Sequence, residues 1–244
     1  MQIIDDLLSS ILNYEVPVVD IRQGAFQTAV LTRHCGLAST PHDSGPHHDK
    51  TPVKEAGYLL NRDAAGLAHM ALSPSPLEAT IGMATINSLI DVDEQNCEEL
   101  NAAELIARKG ENRKVAIVGH FPFIPRLRSV VKELWVTEKN PQAGDFSEAE
   151  AENLIPRADV VGITGTALTN HTIEHLLDLC NPDAYVVVLG GTAPLSPVLF
   201  DYGISAVSGT LVTDPELVLR YVSQGTTFRQ IKGTRLLTMT KEKD

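Results

Sequence analysis

Lys114-Val-Ala-Ile-Val-Gly-His-Phe-Pro122 is the stretch whose reading decides the fold. A charged residue leads into four apolar ones, and the run stops at Gly119. Such a run offers no polar face to water, so it reads as a parallel strand buried on both sides that opens into a tight turn. The pattern recurs downstream. Strands are expected over 115–119, 134–137, 159–164, 185–190 and 204–207, with helical patterns between them and a last edge strand over 235–240. Ser147 and Glu150 have capping-box spacing, and Asp214-Pro215 opens a further helix. Strands alternating with helices imply an α/β domain over 111–244, with a Rossmann-like, mostly parallel sheet.

The front part, 1–110, reads as a smaller α+β domain. Ile4, Leu7, Leu8 and Ile11 recur at helical spacing. Residues 18–23 and 25–32 are rich in β-branched side chains around Gly24, which predicts a hairpin, with a third strand near 35–38. Helices are expected over 62–72 and 77–90. Residues 91–111 hold seven acidic and two basic side chains and a helical piece, about 97–108, that ends at Gly110. The boundary between domains is expected there.

Composition narrows the function classes. The 244 residues carry 20 Lys and Arg against 31 Asp and Glu, a net charge of −11. That balance argues against general nucleic-acid or anionic-membrane binding. No apolar run approaches the roughly 18 residues of a membrane helix. The acidic start lacks a signal-peptide pattern, and three scattered cysteines, Cys35, Cys97 and Cys180, suit a reducing compartment. A cytoplasmic protein is expected. Alanine-rich helices and an edge strand leave room for a homo-oligomer.

In an open parallel sheet, ligands bind beyond the carboxyl ends of the strands. The residues there are Gly119 and His120 after the first strand, Glu138 after the second, Thr164, Thr166 and Asn170 after the third, and Gly191 and Thr192 after the fourth. His120 suits acid–base work or metal ligation, or else a turn-locking hydrogen bond. The threonine and glycine turns offer backbone N–H groups to an anion, or serve only as turns. Glu138 lies 19 residues beyond Gly119, where an acid can hold a ribose diol, yet the dinucleotide glycine fingerprint is absent. His-Phe-Pro-Phe would obstruct a pyrophosphate, so NAD is not expected. Glu78 on the apolar helix 77–90 is either a buried functional carboxylate or a complement to the helix dipole. His42, His47 and His48 lie in a loop with Asp43 and Asp49; these are transition-metal ligand types, but Pro and Gly preset no cage, and solvated side chains are the plainer reading. His171 and His175 read as neighbours on one helix face without a third ligand.

Four stretches carry a resemblance. Val118-Gly-His-Phe-Pro122, Thr164-Gly-Thr166 with Asn170, the run Gly190-Gly-Thr-Ala-Pro-Leu-Ser-Pro-Val-Leu-Phe200, and Glu78-Ala-Thr-Ile-Gly-Met-Ala-Thr-Ile-Asn87 together resemble a prokaryotic family catalogued under heavy-metal chelation. The resemblance implies an enolase-N-terminal-like front domain, a Rossmann-like back domain and a pocket where they meet. By matching position it names Glu78, Asn87, Gly119, His120, Thr164, Asn170, Gly191 and Thr192 as pocket residues. The family often has Gly-Pro where this chain has Gly190-Gly191.

Two functions follow as expectations. One is a small-molecule binding protein that takes a heavy metal or metal chelate in an interdomain cleft, with Glu78 and His120 supplying charge or ligation. The other is an enzyme acting on a heterocyclic, pterin- or nucleotide-like compound, with His120 as acid or base and Glu138 on the ligand's hydroxyls. A scaffold whose cleft is only packing is a third.

Overall fold

The computed structural model describes residues 1–11, 16–41 and 52–241. It contains a small antiparallel sheet and a large, mostly parallel one, so the mixed α/β class read from the sequence is the observed class. Helix α1 (Gln2–Ile11) buries Ile3, Ile4, Leu7, Leu8 and Ile11. The hairpin expected around Gly24 is β1 (Asp20–Gln23) and β2 (Gln27–Leu31), extended by β3 (Cys35–Ser39). Helix α2 (Ala64–Ala68) starts on Asp63, whose carboxylate accepts the Gly66 N–H at 2.7 Å.

Helix α3 (Pro76–Leu89) lies across β2 and β3. It is apolar around its circumference, which suits a helix buried on every side. Thr80 and Thr85 remain inside it by donating their hydroxyls to Pro76 O and Ile81 O. The approach is close enough to exclude side chains. A Cβ on Gly36 of β3 would sit 2.0 Å from Ala84 O, and one on Gly82 would sit 1.9 Å from Ala71 N.

The large sheet comprises β4 (Cys97–Glu98), β5 (Lys114–Val118), β6 (Glu133–Glu138), β7 (Phe146–Ser147), β8 (Val160–Thr164), β9 (Tyr185–Leu189), β10 (Ala206–Val212) and β11 (Thr234–Thr240). Their order is β4-β11-β10-β9-β8-β5-β6-β7. From β10 to β7 every neighbouring pair is parallel; β11 runs antiparallel to both its neighbours, β10 and β4. Helices α4 (Ala102–Gly110) and α5 (Ile124–Leu127) cover the face that holds Val115, Ile117, Val160 and Val187. The alternate residues Ala116, Val161 and Val188 belong to a second core shared with α1 and α3. Both faces are thus covered, as a parallel sheet requires. Helices α6 (Glu148–Leu154), α7 (Thr166–Thr169), α8 (Ile173–Asp178) and α9 (Pro215–Ser223) complete the chain. Helix α9 buries Val218, Leu219 and Val222 with Ala29, Cys35 and Leu37, so the small sheet is held between α3 and α9.

Two expected elements differ. Strand 234–240 is not an edge, because Cys97 and Glu98 pair outside it with Met239 and Thr238. For the same reason the helix expected from Cys97 begins only at Ala102, where the Asn101 side chain accepts the Ala103 N–H at 2.7 Å and caps it.

The fit of α3 on β3 makes Gly36→Ala a severe change. A methyl group there meets backbone, which cannot rotate away, and overpacking of this kind costs about 1–3 kcal/mol or more. Chemical denaturation should show a loss of at least that size, and an unchanged midpoint would refute the packing described.

Candidate functional site

The strand order reverses between β5 and β8: the chain leaves β5 for β6 on one side and returns to β8 on the other. The crevice at such a point is where open parallel sheets bind ligands. A cleft with two lobes runs along the carboxyl ends of the strands here. The first lobe, about 670 Å³, lies at the ends of β5, β6 and β8. The second, about 610 Å³, lies at the ends of β8, β9 and β10. Ser39, Phe121, Thr164, Thr166 and Phe228 line both.

Gly119 turns the chain out of β5 with φ of +104°, and a Cβ there would lie 3.1 Å from the Thr164 Cβ. The backbone conformation favours glycine, and any side chain would also crowd Thr164. The next residue, His120, enters the first lobe. Its Nδ1 lies 3.0 Å from Asp145 Oδ2. The Asp145 side chain is only 3% exposed, whereas that of His120 is 36% exposed. The same Asp145 oxygen accepts the Gln142 N–H at 3.1 Å. A carboxylate behind Nδ1 favours the proton on that nitrogen and leaves Nε2 with its lone pair, as base or metal ligand. Asp145 escaped sequence reading; the one available signal was an acid after Gly144 in the loop between β6 and α6, on the sheet edge that carries Glu138.

Six of the expected residues, Gly119, His120, Glu138, Thr164, Thr166 and Asn170, line the first lobe together. Glu138 accepts the Lys139 N–H at 3.1 Å. The Thr164 and Thr166 hydroxyls are 2.9 Å apart, and Asn170 Oδ1 accepts the Thr172 hydroxyl at 2.6 Å. Gly191 and Thr192 line the second lobe, with Thr164 and Thr166.

Glu78 and Asn87 line neither lobe. Glu78 is buried and accepts the Lys54 N–H at 2.7 Å and the Ser73 hydroxyl, tying the chain before α2 to the start of α3. Asn87 donates to Leu37 O at 2.8 Å and to Thr192 O at 3.2 Å, joining α3 to β3 and to the turn after β9. The wall that the front part gives to the first lobe comes instead from the ends of β2 and β3, through Phe26, Gln27, Ser39 and Thr40. His171 is not on one helix face with His175: it has φ of +62° before α8 begins, its Nε2 lies 2.9 Å from Ala71 O, and His175 pairs with Glu152. His42, His47 and His48 lie outside the described residues.

The donors can be tested against a heavy metal. Among the described residues no three His, Cys, Asp or Glu side chains stand close enough to hold an ion together. Cys35, Cys97 and Cys180 sit on β3, on β4 and after α8. Burial pushes the Cys35 and Cys180 thiols up to about 12, far from the thiolate that binds metal. These residues do not fit a closed protein cage. Among the described lining residues His120, backed by Asp145, is the one imidazole donor.

Comparison with other proteins bears on this geometry. Residues 101–241 match the model of the DUF364 family and residues 4–90 that of DUF4213, each described as "putative heavy-metal chelation". The chain belongs to the DUF364 family. An uncharacterised protein of Methanocaldococcus jannaschii is 30% identical over 183 residues, which cover 71% of this chain and 70% of that protein. A DUF364 crystal structure from Desulfitobacterium hafniense, of unknown function, superposes with a TM-score of 0.83 at 25% identity, covering 98% of this chain and 97% of its own. One from Pyrococcus horikoshii superposes equally well at 21% identity, with 98% of both chains covered. At that identity the likeness is one of fold. No described helix is long and apolar enough to cross a membrane.

Two measurements check the assignments. If Asp145 sets the His120 tautomer, long-range nitrogen–proton NMR should find neutral His120 protonated on Nδ1, and Asp145→Ala should redistribute that proton toward Nε2. An unchanged spectrum would remove Asp145 from the site. For Glu78, burial raises the carboxyl, but the Ser73 hydroxyl and the Lys54 N–H outweigh it, so the group rests below its usual value. Its contribution to stability is therefore complete above the unfolded-state value of about 4.3 and is lost as pH falls through the folded one. Glu78→Gln should cost about 1–3 kcal/mol near neutrality, and the gap to the parent chain should close in acid, as pH falls below the usual carboxylate range. Urea unfolding at the two acidities reads both.

Proposed function

We propose that the cleft binds a small organic molecule, and that heavy metal reaches this protein as the chelate of such a molecule rather than as a bare ion. The observation that carries the reading is the pairing of a large cavity at the strand-order reversal with a single oriented nitrogen donor. A cavity of about 670 Å³ matches the size of drug-like ligands and far exceeds one ion. His120 is suited to fill one open coordination position of a metal whose other ligands arrive with the chelator. Glu138 and Glu148, in the same lobe, can receive the chelator's donors or balance the metal's charge.

A second reading, an enzyme acting on a heterocyclic compound, is favoured by the same pair in another role. A histidine whose Nδ1 rests on a buried carboxylate is placed to take a proton at Nε2. The reaction would then proceed in the first lobe, where Thr164 and Thr166 can orient the substrate.

The two share one test. Native mass spectrometry of the untagged chain, purified without chelators in the buffer, should show an organic mass bound at up to one per chain, with or without a metal. His120→Ala should lose the metal in the first reading and retain an unreacted molecule in the second. A bare metal ion held equally well by His120→Ala, with no organic mass, would sink both.

A further inference from the structure

The two lobes differ in charge. The first is lined by His120, Glu138, Lys139 and Glu148. The second is lined by Arg126 and Arg229, and no Asp or Glu stands among its described lining residues. This is notable in a chain where 31 acidic residues face 20 basic ones. The arginine ion pairs of the described residues involve Arg22, Arg33, Arg62 and Arg235, so neither lobe arginine is paired. Arg126 lies in α5 and Arg229 on the short turn Phe228–Gln230. The first turn of the nine-residue helix α4 also reaches this lobe, through Ala102 and Ala103, and adds the positive end of its dipole.

The rest of the lobe suits a flat, unsaturated ligand. The Phe121 and Phe123 rings lie parallel to within 18° with centroids 5.2 Å apart, and Phe228 lines the same space. Beside Gly190, whose φ is +112°, no described residue beyond its chain neighbours stands within 4 Å of where a Cβ would be, so the floor there is open. Two buried polar atoms near the lobe have no hydrogen-bond partner among the described residues: Thr210 Oγ1 in its wall, and Oε1 of Gln27, which is 4% exposed and reaches within 3.5 Å of the Gly191 Cβ position. Exposed guanidinium groups stay hydrated until an anion arrives, and their planar forks match carboxylate and phosphate oxygens.

We infer that the second lobe is an anion-selective subsite for a planar aromatic molecule that carries a carboxylate or phosphate. The ring lies against the Phe121–Phe123 pair, and the oxyanion meets Arg126 and Arg229. The inference rests on the reading of the cleft as a small-molecule site and names the class of molecule it takes. A metal-binding or reacting end would then extend into the first lobe toward His120.

Calorimetric titration of the full chain with 2-naphthoate, 2-naphthyl phosphate and neutral 2-naphthamide tests this. At least one of the two anions should bind roughly tenfold or more tighter than the amide, the gain expected of a charge-assisted pair. The double variant Arg126→Gln with Arg229→Gln should erase that preference, while Arg128→Gln, exposed and outside the cleft, should keep it. Both lobe arginines are exposed, so an unchanged unfolding temperature will show that the double variant is folded. If the amide binds as well as both anions, the cleft still takes small molecules and the anion subsite is wrong. A preference that survives in the double variant overturns the subsite equally. Binding by none of the three also removes it and leaves the cleft to be judged by the mass measurement above.

Discussion

The Thr192 hydroxyl accepts the Ser39 N–H at 2.9 Å, and its carbonyl accepts the Asn87 amide at 3.2 Å. Thr192 is almost wholly buried, so these bonds are made away from water, and breaking either would strand a polar group in the interior. One partner closes β3 and the other stands on α3, so the turn after β9 is fastened to both layers of the front part. Two further seams run in parallel. His171 Nε2 meets Ala71 O, and Glu174 accepts the Ile3 N–H at 2.9 Å at the start of α1. The front wall of the cleft is therefore held by hydrogen bonds as well as by the core that α1 and α3 share with the large sheet.

That arrangement explains the division of labour between the two halves. The large sheet supplies the polar side chains of the cleft, because its turns present His120, Glu138 and the threonines at one edge. The small sheet supplies enclosure, because Gln27 and Ser39 meet that edge at the ends of β2 and β3. Helix α3, which carries the most conspicuous buried carboxylate, works one step away from the cavity. Glu78 organises the chain entering α2 and α3, and each of its oxygens already accepts a hydrogen bond in that task. A buried carboxylate with its partners in place has little left to offer a ligand.

The donor set places the protein's family description in physical terms. A cage for a soft metal needs several thiolates or imidazoles converging on one point. Here the thiols are dispersed, and two of them are held protonated by burial. What the cleft has instead is volume, one oriented histidine, and two lobes of different charge. Those properties fit the proposal of a molecule that brings its own ligands or its own reactive ring.

Much of this was legible in the chain alone. The apolar run after Lys114 and its four echoes gave the parallel strands, and Gly119, His120, Glu138, Thr164, Thr166 and Asn170 were placed on one cleft edge because strand polarity puts every such turn on the same side. The helical register of α1 and the Ser147–Glu150 cap were likewise local, and local patterns can be read in order. The rest depended on contacts between distant residues. Asp145 acts only because the loop after β6 folds back on His120, 25 positions earlier. The role of Asn87 is set by residues 50 and 105 positions away. Strand 234–240 looked like an edge until Cys97 and Glu98 paired outside it. Periodicity and turn chemistry record how each segment meets its neighbours in the chain, so the sequence by itself determined the strands, their direction and the edge along which the cleft runs. Which side chains were free to meet that ligand was decided by tertiary structure, because a polar group is available only when no distant partner has already claimed its hydrogen bonds.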